Sequence, residues 1–266
     1  MLLYGPRARP DMDDPPLRYS SRFWLYAPTC VFLLLAAAVV LLWWSATAAF
    51  RAELAALKGH KTESGVTLNW TGVTVSGFPF RIDAAFQNFS ARGLAAHGPF
   101  VWTSPALSLH TLTYGRRKTV YEAAGQQHLE WVDGSGHPRR ADFLPGTMRG
   151  SSTTDSRGLA RIDVDIVDAD GGAVTARRVQ FHMRRDPDGK DLDVALRGDD
   201  VKGLGAPAAL VEGYFTLTGS APLMPLLAGK TGWPQAVQQW RQQGGAPRLT
   251  KGVLPAMAKS ALSGLF

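Results

Sequence analysis

Ile162-Asp163-Val164-Asp165-Ile166-Val167 alternates apolar and acidic side chains, and that period of two decides the fold class. Successive side chains on a strand point to opposite faces, so Ile162, Val164 and Ile166 share one dry face while Asp163 and Asp165 meet water. The same period recurs on both sides of this stretch. Val73 and Val75 alternate with Thr74 and Ser76, and Leu107, Leu109 and Thr111 alternate with Ser108, His110 and Leu112. Further strands are predicted at 80–90, 119–123, 128–132, 173–183, 192–196 and 214–218. Asp133-Gly134-Ser135-Gly136, Asp170-Gly171-Gly172 and Asp186-Pro187-Asp188-Gly189 separate them as turns. No alternating helical pattern supports a parallel sheet, so the spacing predicts an antiparallel meander. One amphipathic helix is predicted at 234–243, bearing Val237 and Trp240 and ended by Gly244-Gly245. A short apolar segment, 222–227, precedes it.

A sheet of about ten alternating strands has one wet and one dry face, and the dry face cannot be left in water. It must curl, pack against helix, or hold something apolar. Trp70, Trp102 and Trp131 are placed at the rim of such an apolar groove, because an indole joins a large apolar area to an N–H that suits a wet boundary. The alternative is that they are ordinary core residues.

The N-terminal part reads differently. No Asp, Glu, Lys, Arg or His occurs between Arg22 and Arg51. The run 24–44 is nearly all apolar, and as a helix it spans roughly 30 Å, the hydrocarbon core of a bilayer. Trp24 and Tyr26 stand at one end and Trp43 and Trp44 at the other, as interfacial aromatics do. Pro28 is tolerated in the first turn, and Cys30 falls within the lipid-facing run. Ala46-Thr47-Ala48 would also serve as a signal-peptide cleavage site, but the run is longer than a signal core and follows a long polar tail. A retained single-pass anchor is the expectation. Arg7, Arg9, Arg18 and Arg22 before the run, against Arg51, Lys58 and Lys61 after it, lean toward a cytoplasmic N-terminus and an exported remainder. The resulting division is a disordered tail at 1–22, a transmembrane helix at 23–48 and a juxtamembrane helix and linker at 49–65, stopping near Gly59 or Gly65. An antiparallel β domain follows at 66–221, then a helical C-terminal segment at 222–266. The fold class is mainly β with a minor α+β character: a transmembrane helix, then a large curved antiparallel sheet with one or two short helices.

Beyond the anchor about 210 residues remain, enough to bury a core without disulfides. Cys30 is the only cysteine, so the exported part has no thiol chemistry. A net charge of +7 favours anionic partners, and export makes lipid headgroups or acidic polymers better candidates than nucleic acid. The dipeptides Arg116-Arg117, Arg139-Arg140, Arg177-Arg178 and Arg184-Arg185 are dispersed, as solvated strand ends and edge protection would be, rather than gathered into a binding stripe.

Ser76-Gly77-Phe78-Pro79-Phe80-Arg81-Ile82 is locally unusual. Gly77 permits a conformation other residues avoid, and Pro79 pushes Phe78 toward extended geometry. The expectation is a hydrophobic corner that buries Phe78 and Phe80 and turns Arg81 outward; the alternative is a ligand contact. With the preceding Trp70-Thr71-Gly72-Val73-Thr74-Val75, this stretch resembles the bacterial domain of unknown function family 2125. There an anchor, a short helix and a G-V-x-V-x-G-F-P-F-R stretch recur in that order. Ala91-Arg92-Gly93-Leu94 and Trp240-Arg241-Gln242-Gln243-Gly244-Gly245 are similar to family positions too. The resemblance implies an envelope protein, typically of alphaproteobacteria, with no established activity and no catalytic residues to carry over. Family members usually continue past the Trp/Gly-Gly segment with more strands, whereas this chain closes with 249–266.

Motifs for other chemistry fail. Gly229-Lys230-Thr231 imitates a phosphate loop, but Met224 stands where that loop needs glycine. Asp186, Asp188, Gly189, Asp191 and Asp193 suggest a calcium loop without its bidentate Glu, and a hairpin turn explains them. Asp163, Asp165, Asp168 and Asp170 fit the wet face of one strand. His60, His97, His110, His128, His137 and His182 show no metal-ligand spacing. There is no G-x-S-x-G elbow and no G-x-G-x-x-G fingerprint. No catalytic, cofactor or metal residue is therefore expected. The leading expectation is a non-enzymatic, inner-membrane, single-pass protein whose periplasmic sheet cradles lipid or another apolar envelope component. Its rivals are an assembly scaffold that binds an envelope protein and has no groove, and an enzyme with an unrecognised site.

Overall fold

The computed structural model describes residues 23–95, 97–172, 174–203 and 207–253. The expectations for the tail 1–22 and for 254–266 lie outside the described residues. The chain divides into two compact units, 1–41 and 42–266. Helix α1 (Phe23–Leu57) runs from the first into the second. In the first unit its side chains face outward: Val31, Phe32, Leu34 and Leu35 are all exposed. The helix is long and apolar enough to cross a membrane. It stops after Leu57, where Gly59 takes a left-handed φ of 75° and its N–H turns to the carbonyl of Leu68.

Among the described residues, the second unit is built on one antiparallel sheet of 13 strands. They are β1 (Thr67–Asn69), β2 (Gly72–Ser76), β3 (Arg81–Leu94), β4 (Pro99–Leu112), β5 (Gly115–Ala124), β6 (Gln127–Val132) and β7 (Pro138–Phe143), followed by β8 (Thr147–Asp155), β9 (Gly158–Asp170), β10 (Thr175–Arg185), β11 (Leu192–Val201), β12 (Ala208–Thr218) and β13 (Ala246–Val253). The order across the sheet is β1-β3-β4-β5-β8-β9-β10-β11-β12-β13, with β2 also on β3 and the β6–β7 hairpin hung from β4. This is the meander the alternation predicts, with one detour. The three turn signals fall between β6 and β7, β9 and β10, and β10 and β11. In the last, Gly189 N–H donates to the Asp186 carbonyl, so the aspartates there close a hairpin.

Two covers lie on the dry face. The last turns of α1 set Phe50 and Leu54 onto Ile82, Ala84, Phe86 and Leu107 of β3 and β4. At the far side a 3₁₀ turn (Ala221–Leu223), α2 (Met224–Leu227) and α3 (Trp233–Gln242) lay Leu223, Val237 and Trp240 on Leu192 of β11 and Leu217 of β12. Trp240 donates its indole N–H to the Thr218 carbonyl at 2.8 Å. Gly245 makes room for that ring, since a Cβ there would stand 2.1 Å from the indole nitrogen.

One expectation needs correction, and one strand of the sheet had no signal in the sequence. The segment 222–266 is not wholly helical, because β13 follows α3 and pairs along β12 from Ala246↔Thr218 to Val253↔Glu212. Its sequence, Ala-Pro-Arg-Leu-Thr-Lys-Gly-Val, carries too few apolar residues to show a period. Strand β8 was hidden for a related reason. Its dry-face positions are Met148, Gly150 and Ser152, opposite Ile166, Val164 and Ile162, so the apolar half of the alternation is mostly absent.

Candidate functional site

The Gly77–Arg81 turn joins β2 to β3. Gly77 has φ of 104°, and a Cβ there would lie 2.7 Å from the Arg81 carbonyl oxygen. Arg81 N–H closes the turn on the Gly77 carbonyl at 2.9 Å, and the Phe78–Pro79 peptide is cis. The expected hydrophobic corner does not form: Phe78 is 55% and Phe80 58% exposed. The physical reason is that Trp43 occupies the ground beneath the turn. Its indole N–H donates to the Arg81 carbonyl at 3.0 Å, and its ring meets Phe78 edge-on with centroids 5.4 Å apart. Arg81 does turn outward, holding Asp83 at 2.9 Å.

The three tryptophans part company. Trp70 is only 5% exposed and is joined through Phe86 and Phe89 to Trp102 by a chain of edge-on ring contacts, 5.2 to 5.8 Å between centroids. Trp102 also donates to Gln127 Oε1. Trp70 is thus core beneath α1 and not a groove rim, a correction that follows from where Phe50 and Leu54 lie. Trp131 sits apart on β6, half-buried and opposite Arg139.

The dry face itself can be followed by register, since directly opposed residues of antiparallel strands share a face. Ala84 faces Leu109, Leu109 faces Tyr121, Tyr121 faces Gly150, and Gly150 faces Val164. The row continues through Phe181 to Leu196. A parallel row runs through Met148, Ile166 and Val179, and a third through Ile162, Met183, Val194 and Phe215. Under α1 these rows are closed, but past Gly150 they change. Val164, Ile166, Val179, Phe181, Leu196 and Phe215 are all only half-buried, and of these Val179 alone packs against a buried cluster, that of Ala176, Val201 and Val211. A strip of apolar sheet over β9–β12 therefore lies bare between the α1 cover and the α2–α3 cover.

The wet face carries a repeated arrangement of charge. Three times an Arg-x-Asp on one strand faces a histidine directly across the ladder: Arg81, Asp83 and His110; Arg140, Asp142 and His128; Arg161, Asp163 and His182. His110 Nδ1 lies 2.7 Å from Asp83 and His182 Nδ1 2.8 Å from Asp163, while His128 is bonded to Asp142. Arg178 grips Asp165 with two bonds of 2.7 and 2.9 Å. The Arg140 guanidinium and then His128 hold the Asp142 carboxyl below its ordinary value. At Asp163 burial opposes ionisation, but the hydrogen bonds from Arg161 and His182 outweigh it and the net shift is downward. Ser151 donates to Asp163 and not to a histidine, the reverse of what activates a serine nucleophile. An open cleft of about 700 Å³ lies where β9–β12 end, lined by Asp168, Asp170, Arg177, Asp200 and Lys202 among others. Arg177 answers Asp200 across it at 2.6 Å. Among the described residues no group of three potential metal ligands gathers.

A family model described as uncharacterized protein conserved in bacteria, domain of unknown function 2125, matches residues 43–263. The chain belongs to this family. No curated protein and no solved structure matches it.

Proposed function

We propose that this protein is a non-enzymatic component of the bacterial cell envelope, anchored in the inner membrane by α1, whose periplasmic sheet cradles the acyl part of a lipid. The observation that carries the reading is the apolar strip of Val164, Ile166, Phe181 and Leu196, half-buried and outside the buried clusters, between two covers supplied by the chain itself. Partly exposed apolar side chains in contiguous rows are favourably covered, at about 25 cal/mol per Å² removed from water. An acyl chain is the occupant that a membrane-anchored sheet meets at high local concentration. Retention of the anchor is supported by Trp43, which precedes the Ala46-Thr47-Ala48 stretch and packs against the folded sheet, donating to the Arg81 carbonyl and meeting the Phe78 ring. Binding is favoured over catalysis because the histidines and carboxylates of the wet face are tied to one another in sheet ladders, away from the apolar strip.

A second reading, an assembly scaffold, is favoured by one observation: the part of the sheet carrying Trp70 and Trp102 is filled by its own helix. Native mass spectrometry of the detergent-extracted protein separates the two. The lipid reading predicts co-purified acyl lipid that is lost from Phe181→Asp. A protein adduct, or no lipid on a folded wild type, favours the scaffold.

A further inference from the structure

The Gly77–Arg81 turn does not belong to the bare strip, and its two exposed phenylalanines are not isolated. Thr113 donates its N–H to the Phe80 carbonyl at 3.0 Å and its hydroxyl to the Pro79 carbonyl at 3.4 Å. This ties the tip of the β4–β5 hairpin to the turn. Tyr114 at that tip is 79% exposed, and Leu112, opposite Arg81 in the ladder, is exposed as well. On the other side Phe78 leans on Trp43, and the next residue of α1, Trp44, is 65% exposed. Phe78, Phe80, Leu112 and Tyr114 thus set large exposed side chains on the turn and on the hairpin tip tied to it, and Trp44 adds another next to Trp43 on α1. Water is a poor solvent for them.

The occupant follows from continuity along α1. Trp43 and Trp44 close the apolar run that begins near Tyr26, which sets them at the headgroup level of any bilayer that the run crosses. Phe78 touches Trp43, so it stands at that same level. An aromatic surface with a polar fringe suits the boundary of headgroup and acyl chain. The fringe is here as well: Arg81 reaches outward, and Arg117 and Lys118 are exposed at the start of β5, where anionic headgroups would meet them. We infer that the Gly77–Arg81 turn and the β4–β5 tip form a membrane-interface seat, which dips into the outer edge of the lipid. The inference rests on the membrane anchorage of the proposed function, but not on the lipid cradle.

The test uses the full chain in bilayers of phosphatidylethanolamine and phosphatidylglycerol, with Cys30→Ser and single nitroxide labels. Collision with oxygen, relative to a water-soluble nickel complex, reports depth. The labels go at Phe80→Cys, Tyr114→Cys, Leu34→Cys in the apolar run, and Ser135→Cys on the exposed β6–β7 turn. The seat predicts ratios at 80 and 114 several-fold above that at 135 and below that at 34. Water-like ratios at 80 and 114, with a lipid-like ratio at 34, overturn the seat and leave the anchorage standing. A water-like ratio at 34 overturns both. Dipolar broadening between labels at position 80 overturns the seat in favour of a second copy of the chain. Tyr114 stands at a hairpin tip, so its label keeps the test valid if the turn variant folds poorly.

Discussion

Phe181 of β10 stands directly opposite Val164 of β9, and both are half-buried on the face that α1 closes farther along the same rows. The pair marks where the chain stops covering its own sheet. An ordinary β-sandwich or sheet–helix layer would continue the cover here. A charge at this place should therefore cost binding more than folding. Phe181→Asp is expected to change stability modestly, since its position still reaches solvent, and to abolish retention of acyl lipid. Thermal denaturation in detergent alongside lipid analysis checks it. Unfolding of the variant would show that the strip is closed core.

The second cover is predicted to depend on one ring. Trp240 is 1% exposed, and Trp240→Ala should destabilise by about 3–5 kcal/mol through the cavity it leaves. Gly245→Ala should approach the same loss, because its Cβ would displace the indole and break the bond to the Thr218 carbonyl. Urea titrations measure both. A neutral Gly245→Ala would mean that the α3 cover is looser than described.

In the Gly77–Arg81 turn the glycine should matter more to stability than the aromatics. Gly77→Ala places a Cβ against the Arg81 carbonyl and strains a left-handed backbone, at about 1–3 kcal/mol or more. Phe78→Ala removes a ring that is more than half exposed and should cost clearly less. The same urea titrations rank the two, and the reverse order would restore a buried corner.

Acid sensitivity follows from the wet face. The backbone N–H of His137 and the Arg139 side chain lead in holding Asp133 at about 2, against an ordinary value of 3.8. Arg140 depresses Asp142, and Arg185 depresses Asp155. Carboxyls lowered by folding stabilise the folded state fully above the unfolded value and lose that contribution as pH falls through the folded one. The denaturation midpoint should therefore hold near neutrality and fall as pH drops from about 3.8 toward 2. Asp133→Asn should flatten part of that slope. A midpoint that rises over this interval would contradict the assignment.

Much of the sheet was legible because strands such as β9 alternate cleanly, Ile162, Val164 and Ile166 against Asp163 and Asp165. Strand β8 was not, because Gly150 and Ser152 fill its dry positions without an apolar signal. The helical character of 46–57 was readable, but not which strands it covers, and that decides whether Trp70 is rim or core. Phe78 and Phe80 look like core by composition. Their exposure depends on Trp43, 35 positions earlier in the chain, which no local pattern links to them. The bare strip could be found only by register, since its residues lie on four separate strands.

The central claim is that lipid occupies one particular face, and photo-crosslinking in cells tests it most directly. A benzophenone amino acid replaces Phe181 on the dry face, or its neighbour His182 on the wet face, in the full-length protein. After irradiation, the account predicts an acyl-lipid adduct from position 181 and none from 182, read by mass spectrometry of the purified protein. Protein adducts alone from 181, or the same lipid adducts from both positions, would contradict it.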